Sequence, residues 1–385
     1  VPPACHIAEK MTKSRDPSAL PAGKEGIMER QFLKGSEAVA EAAILAGCRF
    51  FAGYPITPQN EIPEYMSRRM PAAGGVFLQG ESETASVCMV YGAASVGTLA
   101  MTSSSGPGIS LKAEGISTLA GACLPAVIVN VMRGGPGLGA IQAAQSDYLH
   151  ATKALGHGGF RVIVLAPSTV QEAIDLTYKA FGLAVQYRNP VMVLMDGWIG
   201  SMMEPVTLPE AKEPVTFSYT GWGAKYFNPS GVGVNVVTSC LLEPEYQELL
   251  NIRAGEMYEE WKEKEVLAEE YLLEDAEYVI VAYGTAARAA RTAIGELRGK
   301  GIRAGMIRPI SLYPFPVEHL KRLDRTRVKI LLDTEMTLPV QMMDDIRLAV
   351  ADAIPVHSCG RSGGVILTNE EIVEAVEQVI AKEAR

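Results

Sequence analysis

With 385 residues, 48% of them hydrophobic, and with 37 glycines and 23 prolines, the chain is long enough to bury two cores. A formal charge of -9 and the lack of any Lys/Arg cluster exclude a nucleic-acid-binding surface. The six cysteines (Cys5, Cys48, Cys88, Cys123, Cys240, Cys359) form no C-x-x-C pair and have no histidine at ligand spacing. That excludes an iron-sulfur cluster or structural zinc on this chain, and scattered thiols suit a reducing, cytoplasmic setting.

Residues 1–31 hold no apolar signal-peptide core, and text such as SRDPSALPAGKEG predicts a disordered lead, with Met28 as the natural start. From Ser36, the positions Val39, Ala40, Ala43, Ile44 and Leu45 fall on a helical stripe, and CRFFAGY then reads as a strand. Further strands are expected at 76–79 (VFLQ), 99–104 (LAMTSS), 126–131 (AVIVNV), 161–166 (RVIVLA) and 191–195 (VMVLM), each separated by enough chain for a helix. Near-continuous Val/Ile/Leu runs alternating with helices predict a parallel sheet covered on both faces. The uncharged run Gly115–Met132 is interrupted by Ser117, Thr118, Pro125 and Asn130, so a helix followed by a buried strand explains it better than a membrane span.

After Asp196 the text turns rich in Pro, Gly and aromatics, and Glu243 to Glu277 then carries thirteen acidic against three basic residues, a net of -10. A solvated helical face accounts for that run. A second α/β unit opens at the strand 278–282 with a Gly284-Thr285 turn and closes in a helix over 372–382. The expected organisation is a lead over 1–31, a first α/β domain over 32–204, a linker with the acidic helix over 205–274, and a second α/β domain over 275–385.

Polar or Gly-rich turns follow the strands of the first unit, where α/β sheets keep their chemistry. With Gly80 as N-cap, Glu83 falls at N3 of a helix, where a capping carboxylate is an equally good explanation as a functional one. Arg133 ends the strongest strand before GGPGLG, and a guanidinium there suits two-point capture of a carboxylate or phosphate, or a surface ion pair. Thr57 lies between Pro55 and Pro58, which restrict its backbone. Ser103, Ser104 and Ser105 with Gly106 offer hydroxyl and amide donors at a helix start. The Gly284-Thr285 turn could also meet an anion, although a structural turn explains it as well.

Taken in order, KGSEAVAEAAILAGCRFFAGYPITPQNEIPEYM, QGESETASVCMVYGAASVG, MTSSSGPGISLKAEGIS, LPAVIVNVMRGGPGLG and QSDYLHATK resemble the α subunit of the 2-oxoacid:ferredoxin oxidoreductases, notably the branched-chain 2-oxoacid and 2-oxoglutarate members. DAEYVIVAYGTAAR and IRPISLYPFP fit the same family, so the resemblance runs from about Phe32 to the C-terminus. It implies a pyrimidine-type thiamine diphosphate-binding domain followed by a transketolase C-terminal-like domain. It also implies that Glu83, rather than the neighbouring Glu81, hydrogen-bonds the cofactor's pyrimidine ring, and that Arg133 and Thr57 contact the substrate carboxylate. Ser104, Ser105 and Gly106 would line the cofactor pocket, and the cofactor's own carbon would be the reactive one.

The GDG-with-Asn signature that binds diphosphate and metal in thiamine enzymes is absent, MDGWIG at Asp196 being the nearest text. The resemblance therefore places the diphosphate and Mg²⁺ on a β subunit, and [4Fe-4S] clusters on partner chains, with γ and ferredoxin-like δ subunits or domains completing the complex. The implied reaction converts a 2-oxoacid and CoA to acyl-CoA and CO2 and reduces ferredoxin. Because ferredoxins are acidic too, it is expected to dock on the cluster-bearing chain rather than against the acidic helix. A non-catalytic scaffold has no need of Thr57, Glu83 and Arg133 together, and a nucleotide-binding dehydrogenase would need a G-x-G-x-x-G after the first strand, which is missing.

Overall fold

The computed structural model of the protein describes residues 30–212 and 236–383, so residues 1–29 of the lead expected over 1–31, and part of the Pro/Gly-rich connector, lie outside the described residues. The first unit runs β1 (Gln31–Lys34), α1 (Gly35–Leu45), β2 (Phe50–Gly53), α2 (Glu61–Ala72), β3 (Val76–Gln79), α3 (Glu83–Ser95), β4 (Ala100–Ser104), α4 (Pro107–Gly121), β5 (Val127–Gly134), β6 (Ala140–Ala143), α5 (Tyr148–Thr152), β7 (Ile163–Leu165), α6 (Val170–Tyr187), β8 (Val191–Asp196), α7 (Gly197–Ser201) and β9 (Met203–Val206). The second runs α8 (Pro244–Lys264), β10 (Ala268–Tyr271), β11 (Tyr278–Ala282), α9 (Gly284–Gly299), β12 (Ala304–Pro309), β13 (Ser311–Tyr313), α10 (Val317–Lys321), β14 (Ile330–Glu335), α11 (Met343–Val350), β15 (Val356–Gly360) and α12 (Asn369–Glu383).

Every residue of β5, β7 and β8 is buried, the pattern of parallel strands covered by helices on both faces. The first sheet has the order β13-β7-β8-β5-β4-β2-β3, with β6 hairpinned onto β5. From β2 the chain moves outward to β3 and then returns to the opposite side of β2 as β4. The strand order thus reverses at β2, and the crevice beyond the carboxyl ends of these strands is where open α/β sheets bind ligands. The second sheet, β10-β12-β11-β14-β15, is parallel except for its antiparallel edge strand β10.

Three features differ from the sequence expectation. Gln31 opens β1, which pairs antiparallel with β9, so ordered structure begins inside the expected lead and the first unit continues past residue 204 to Val206. Strand β10 lies within the expected linker yet forms the edge of the second sheet. Strand β13 leaves the second unit to pair with β7, Ser311 opposite Leu165, and so closes an edge of the first sheet.

The acidic run forms α8, whose one buried side chain is Trp261. Its ring stacks among Tyr258, Tyr187 and Tyr313, with centroids 5.0, 5.6 and 6.4 Å away, so a single aromatic fixes a helix that is otherwise solvated. The seam between the units is polar. Buried Arg308 on β12 grips Glu172 of α6 through two nitrogens (2.6 and 2.9 Å) and Glu269 of β10 at 2.7 Å. Gln145 donates to the Tyr283 carbonyl at 2.8 Å and accepts from the Met336 amide at 2.8 Å.

Candidate active site

The turns after β2, β3, β4 and β5 bring Thr57, Glu83, Ser104, Ser105, Gly106 and Arg133 to one end of the first sheet. Glu83 opens α3. The N-cap is Ser82, not Gly80: Ser82 is extended (φ -159°, ψ 168°) and its hydroxyl accepts from the Ala85 amide. Glu83 is therefore the first helical residue rather than N3, and the capping task that would have explained its carboxylate is done by Ser82. Glu83 is buried at 6% exposure, and its backbone carbonyl accepts a hydrogen bond from Lys112.

The three serines separate. Ser103 donates to Gln59 Oε1 at 2.5 Å, and Gln59 in turn holds the Tyr54 carbonyl at 3.1 Å, so this hydroxyl shapes the β2–α2 loop. The hydroxyls of Ser104 and Ser105 are buried without a partner. Gly106 takes φ +42°, which lets the chain turn into α4. At Gly108 an added Cβ would lie 2.1 Å from Ser104 Oγ and 2.7 Å from Glu83 Oε1, so only glycine leaves room where these polar groups converge.

Arg133, 7% exposed, donates to the Thr57 carbonyl at 2.9 Å and to the Leu138 carbonyl at 2.8 Å, while its Nε is buried and unpartnered. Two of its three nitrogens thus clamp the β2–α2 and β5–β6 loops together, which leaves one direction rather than a free fork for an anion. Thr57 contributes its carbonyl to this clamp and exposes its side chain into a cleft of about 470 Å³ lined also by Pro58, Lys34, Glu61, Ile141 and Trp198. The only described cation of that cleft, Lys34, contacts Glu61 at 3.5 Å.

Asp196 and the Gly284-Thr285 turn meet each other. One Asp196 oxygen accepts from the Thr285 hydroxyl (2.7 Å) and from the Trp198 and Ile199 amides, and the other from the Thr285 amide (2.9 Å). Burial raises its pKa, and these bonds oppose the rise. The anion at the start of α9 is supplied by the chain itself, so MDGWIG serves as a double helix cap. Sequence reasoning missed one further group: Lys112 on α4, wholly buried, donates from Nζ to the Glu83 carbonyl at 3.3 Å.

The donor set fits the pyrimidine half of thiamine diphosphate. Two unpartnered hydroxyls, those of Ser104 and Ser105, and the Glu83 carboxylate that meets Ser104 at Gly108 lie at the topological switch point. The pattern of the family described as pyruvate flavodoxin/ferredoxin oxidoreductase, thiamine diphosphate-binding, matches residues 41–235, and that of pyruvate:ferredoxin oxidoreductase core domain II matches 276–372. The chain is 46% identical to ketoisovalerate oxidoreductase subunit VorB of Methanothermobacter thermautotrophicus over 353 residues, 91% of this chain and 98% of that one. It is 36% identical to 2-oxoglutarate synthase subunit KorA of the same organism over 372 residues, 90% of this chain and 98% of that one. Among solved structures, 2-oxoglutarate:ferredoxin oxidoreductase from Magnetococcus marinus, with 2-oxoglutarate, coenzyme A and succinyl-CoA bound, superposes with a TM-score of 0.81 at 26% identity, covering 95% of this chain and 68% of that one. A split-gene transketolase shares the fold (TM-score 0.56, 16% identity, 90% of this chain and 97% of that one).

Fold and site together define a thiamine diphosphate-binding α/β enzyme subunit. The chain belongs to the α-type subunits of the 2-oxoacid:ferredoxin oxidoreductases, oxidoreductases that work as multi-subunit complexes with ferredoxin as acceptor.

Proposed function

We propose that this subunit serves the oxidative decarboxylation of a branched-chain 2-oxoacid with CoA, and that Glu83 is its cofactor-activating residue. The observation that carries the reading is the buried Glu83 at the start of α3, whose Oε1 converges with the unpartnered Ser104 hydroxyl on the space that Gly108 keeps open. Thiamine diphosphate, when bound, supplies a carbon nucleophile that no protein side chain offers. Glu83 accepts a hydrogen bond from the pyrimidine ring, and Ser104, Ser105 and the Gly106–Gly108 cradle hold the ring against α4. Arg133, braced by the Thr57 and Leu138 carbonyls, presents its unpartnered Nε to the substrate carboxylate, and Thr57 lines the approach. A β subunit supplies the diphosphate and Mg²⁺ contacts, and [4Fe-4S] clusters on partner chains pass electrons to ferredoxin in a cytoplasmic complex with γ and δ components.

Two observations favour a branched-chain over a 2-oxoglutarate substrate. The identity is higher to the ketoisovalerate than to the 2-oxoglutarate subunit. The cleft beside Thr57 also holds Glu61 and Glu64 against the one lysine Lys34, so a second substrate carboxylate would meet no free counter-charge there. In the assembled complex, Glu83→Gln is expected to lower turnover by about 100-fold or more while subunit stoichiometry is kept. Near-native turnover would refute the assignment, and faster ferredoxin reduction with 2-oxoglutarate than with ketoisovalerate would refute the substrate.

A further inference from the structure

Helix α4 packs against α3 through a face on which Gly108, Lys112 and Gly115 recur at helical spacing. An added Cβ at Gly115 would lie 2.3 Å from Val87 of α3, and one at Gly108 would reach Glu83, so the two glycines bring the helices into close approach on either side of Lys112. Lys112 is therefore buried against the first turn of α3, although its neighbours Ser110 and Leu111 are exposed. An ammonium has three donors, and this one has a single acceptor among the described residues, the Glu83 carbonyl at 3.3 Å. A methionine would fill the same space without the desolvation of a charge, so packing does not account for a lysine here.

We propose that Lys112 is a positioning residue that acts through Glu83: its buried ammonium, seated under the start of α3 and donating to the Glu83 carbonyl, holds Glu83 where its carboxylate can accept a hydrogen bond from the pyrimidine ring. The inference rests on the reading of Glu83 given above. Of the charged groups on the elements around α4, Glu83 is the one that acts on the ammonium; Ser103, Ser104 and Ser105 of the β4 turn are neutral, and the 153–160 loop brings the His157 carbonyl to Ser117 on another part of the helix. Burial pushes the Lys112 ammonium down to about 8, and the Glu83 charge opposes that fall. Its positive charge is present below that pH and lost above it, so support for Glu83 weakens as the solution turns alkaline.

The test uses the assembled complex and two readouts, the dissociation constant of thiamine diphosphate for the cofactor-free complex and the pH profile of kcat/KM. Lys112→Met is expected to weaken cofactor binding about tenfold, because the donor that holds the Glu83 carbonyl is lost. Lys112→Arg, which stays charged, is expected to restore affinity and to remove the alkaline fall that sets in near pH 8 in the native complex. In a Glu83→Gln background, Lys112→Met is expected to change affinity less than about twofold, because the carboxylate it acts through is gone. An alkaline fall that persists unchanged in Lys112→Arg, or additive losses in the double variant, would overturn the role of Lys112 even if Lys112→Met does not assemble. If Glu83→Gln itself leaves cofactor affinity and turnover intact, the reading of the site fails instead.

Discussion

The strand ends of the two sheets are built alike and finished differently. Beyond β2 to β5, two buried hydroxyls and an arginine Nε lack partners, and Gly108 keeps the space beside Ser104 and Glu83 open. Beyond β11, the corresponding helix start is filled by Asp196 of the same chain, which takes four hydrogen bonds from α7 and α9. Beyond β14, Asp333 and Glu335 face each other in the seam. Glu335 Oε1 accepts from the Gln341 and Met342 amides. One end of the molecule is left open for a ligand, and the other is plugged by its own side chains. Buried unpartnered atoms occur at both ends, so what separates them is the room that Gly108 leaves beside Glu83 and Ser104 and the cap that Asp196 supplies to α9.

The largest way to break this contrast is to close the open end. Gly108→Ala would place a methyl group against Ser104 and Glu83 and is expected to cut turnover of the complex by about 100-fold while leaving its melting temperature nearly unchanged, as read by steady-state kinetics beside calorimetry. Opening the plugged end should do the reverse. Asp196→Ala strips four hydrogen bonds and is expected to cost about 3 kcal/mol or more of stability in denaturant titration, with kcat and KM close to native in whatever fraction stays folded.

A smaller effect sharpens the comparison through pH. Burial pushes Asp333 upward, and with it Glu335, to about 7 from a usual value of 4.5. A carboxyl whose folded pKa is raised contributes stability that is full below its unfolded value and lost as pH rises through the folded one. The pair is thus most comfortable sharing a proton, and Glu335→Gln should raise the melting temperature relative to the native chain above pH 7, with little difference at pH 5. A melting difference that does not grow between pH 5 and pH 8.5 would count against a shared proton. The smallest effect is expected on α8, where Glu259→Gln removes half of an exposed pair with Lys262 and should change stability by no more than about 0.5 kcal/mol.

Much of this was legible in the residues, because the strands of a covered parallel sheet are apolar on both faces; AVIVNV at 126–131 and VMVLM at 191–195 needed little more than that rule. The site was legible as a set of loops, but the division of labour inside it was not. Whether Gly80 or Ser82 caps α3 depends on one extended residue, and whether Ser103 or Ser104 is free depends on Gln59, distant in sequence. Lys112 escaped notice because a lysine in a helix ordinarily reads as solvent-facing. The signal was its spacing from Gly108 and Gly115, which marks the tightly packed face. Strand β13 could not be foreseen at all, since nothing local in SLY states which sheet it will join.

That borrowed strand also bears on how the two units could ever be separated. A chain cut in the connector would leave the first sheet ending at β7, with a row of bare amides and carbonyls beside fully buried apolar residues, an invitation to pair with another molecule. Gene fission or recombination between the units would need to carry Ser311–Tyr313 along with the first half, so inheritance as a single reading frame is written into the sheet itself.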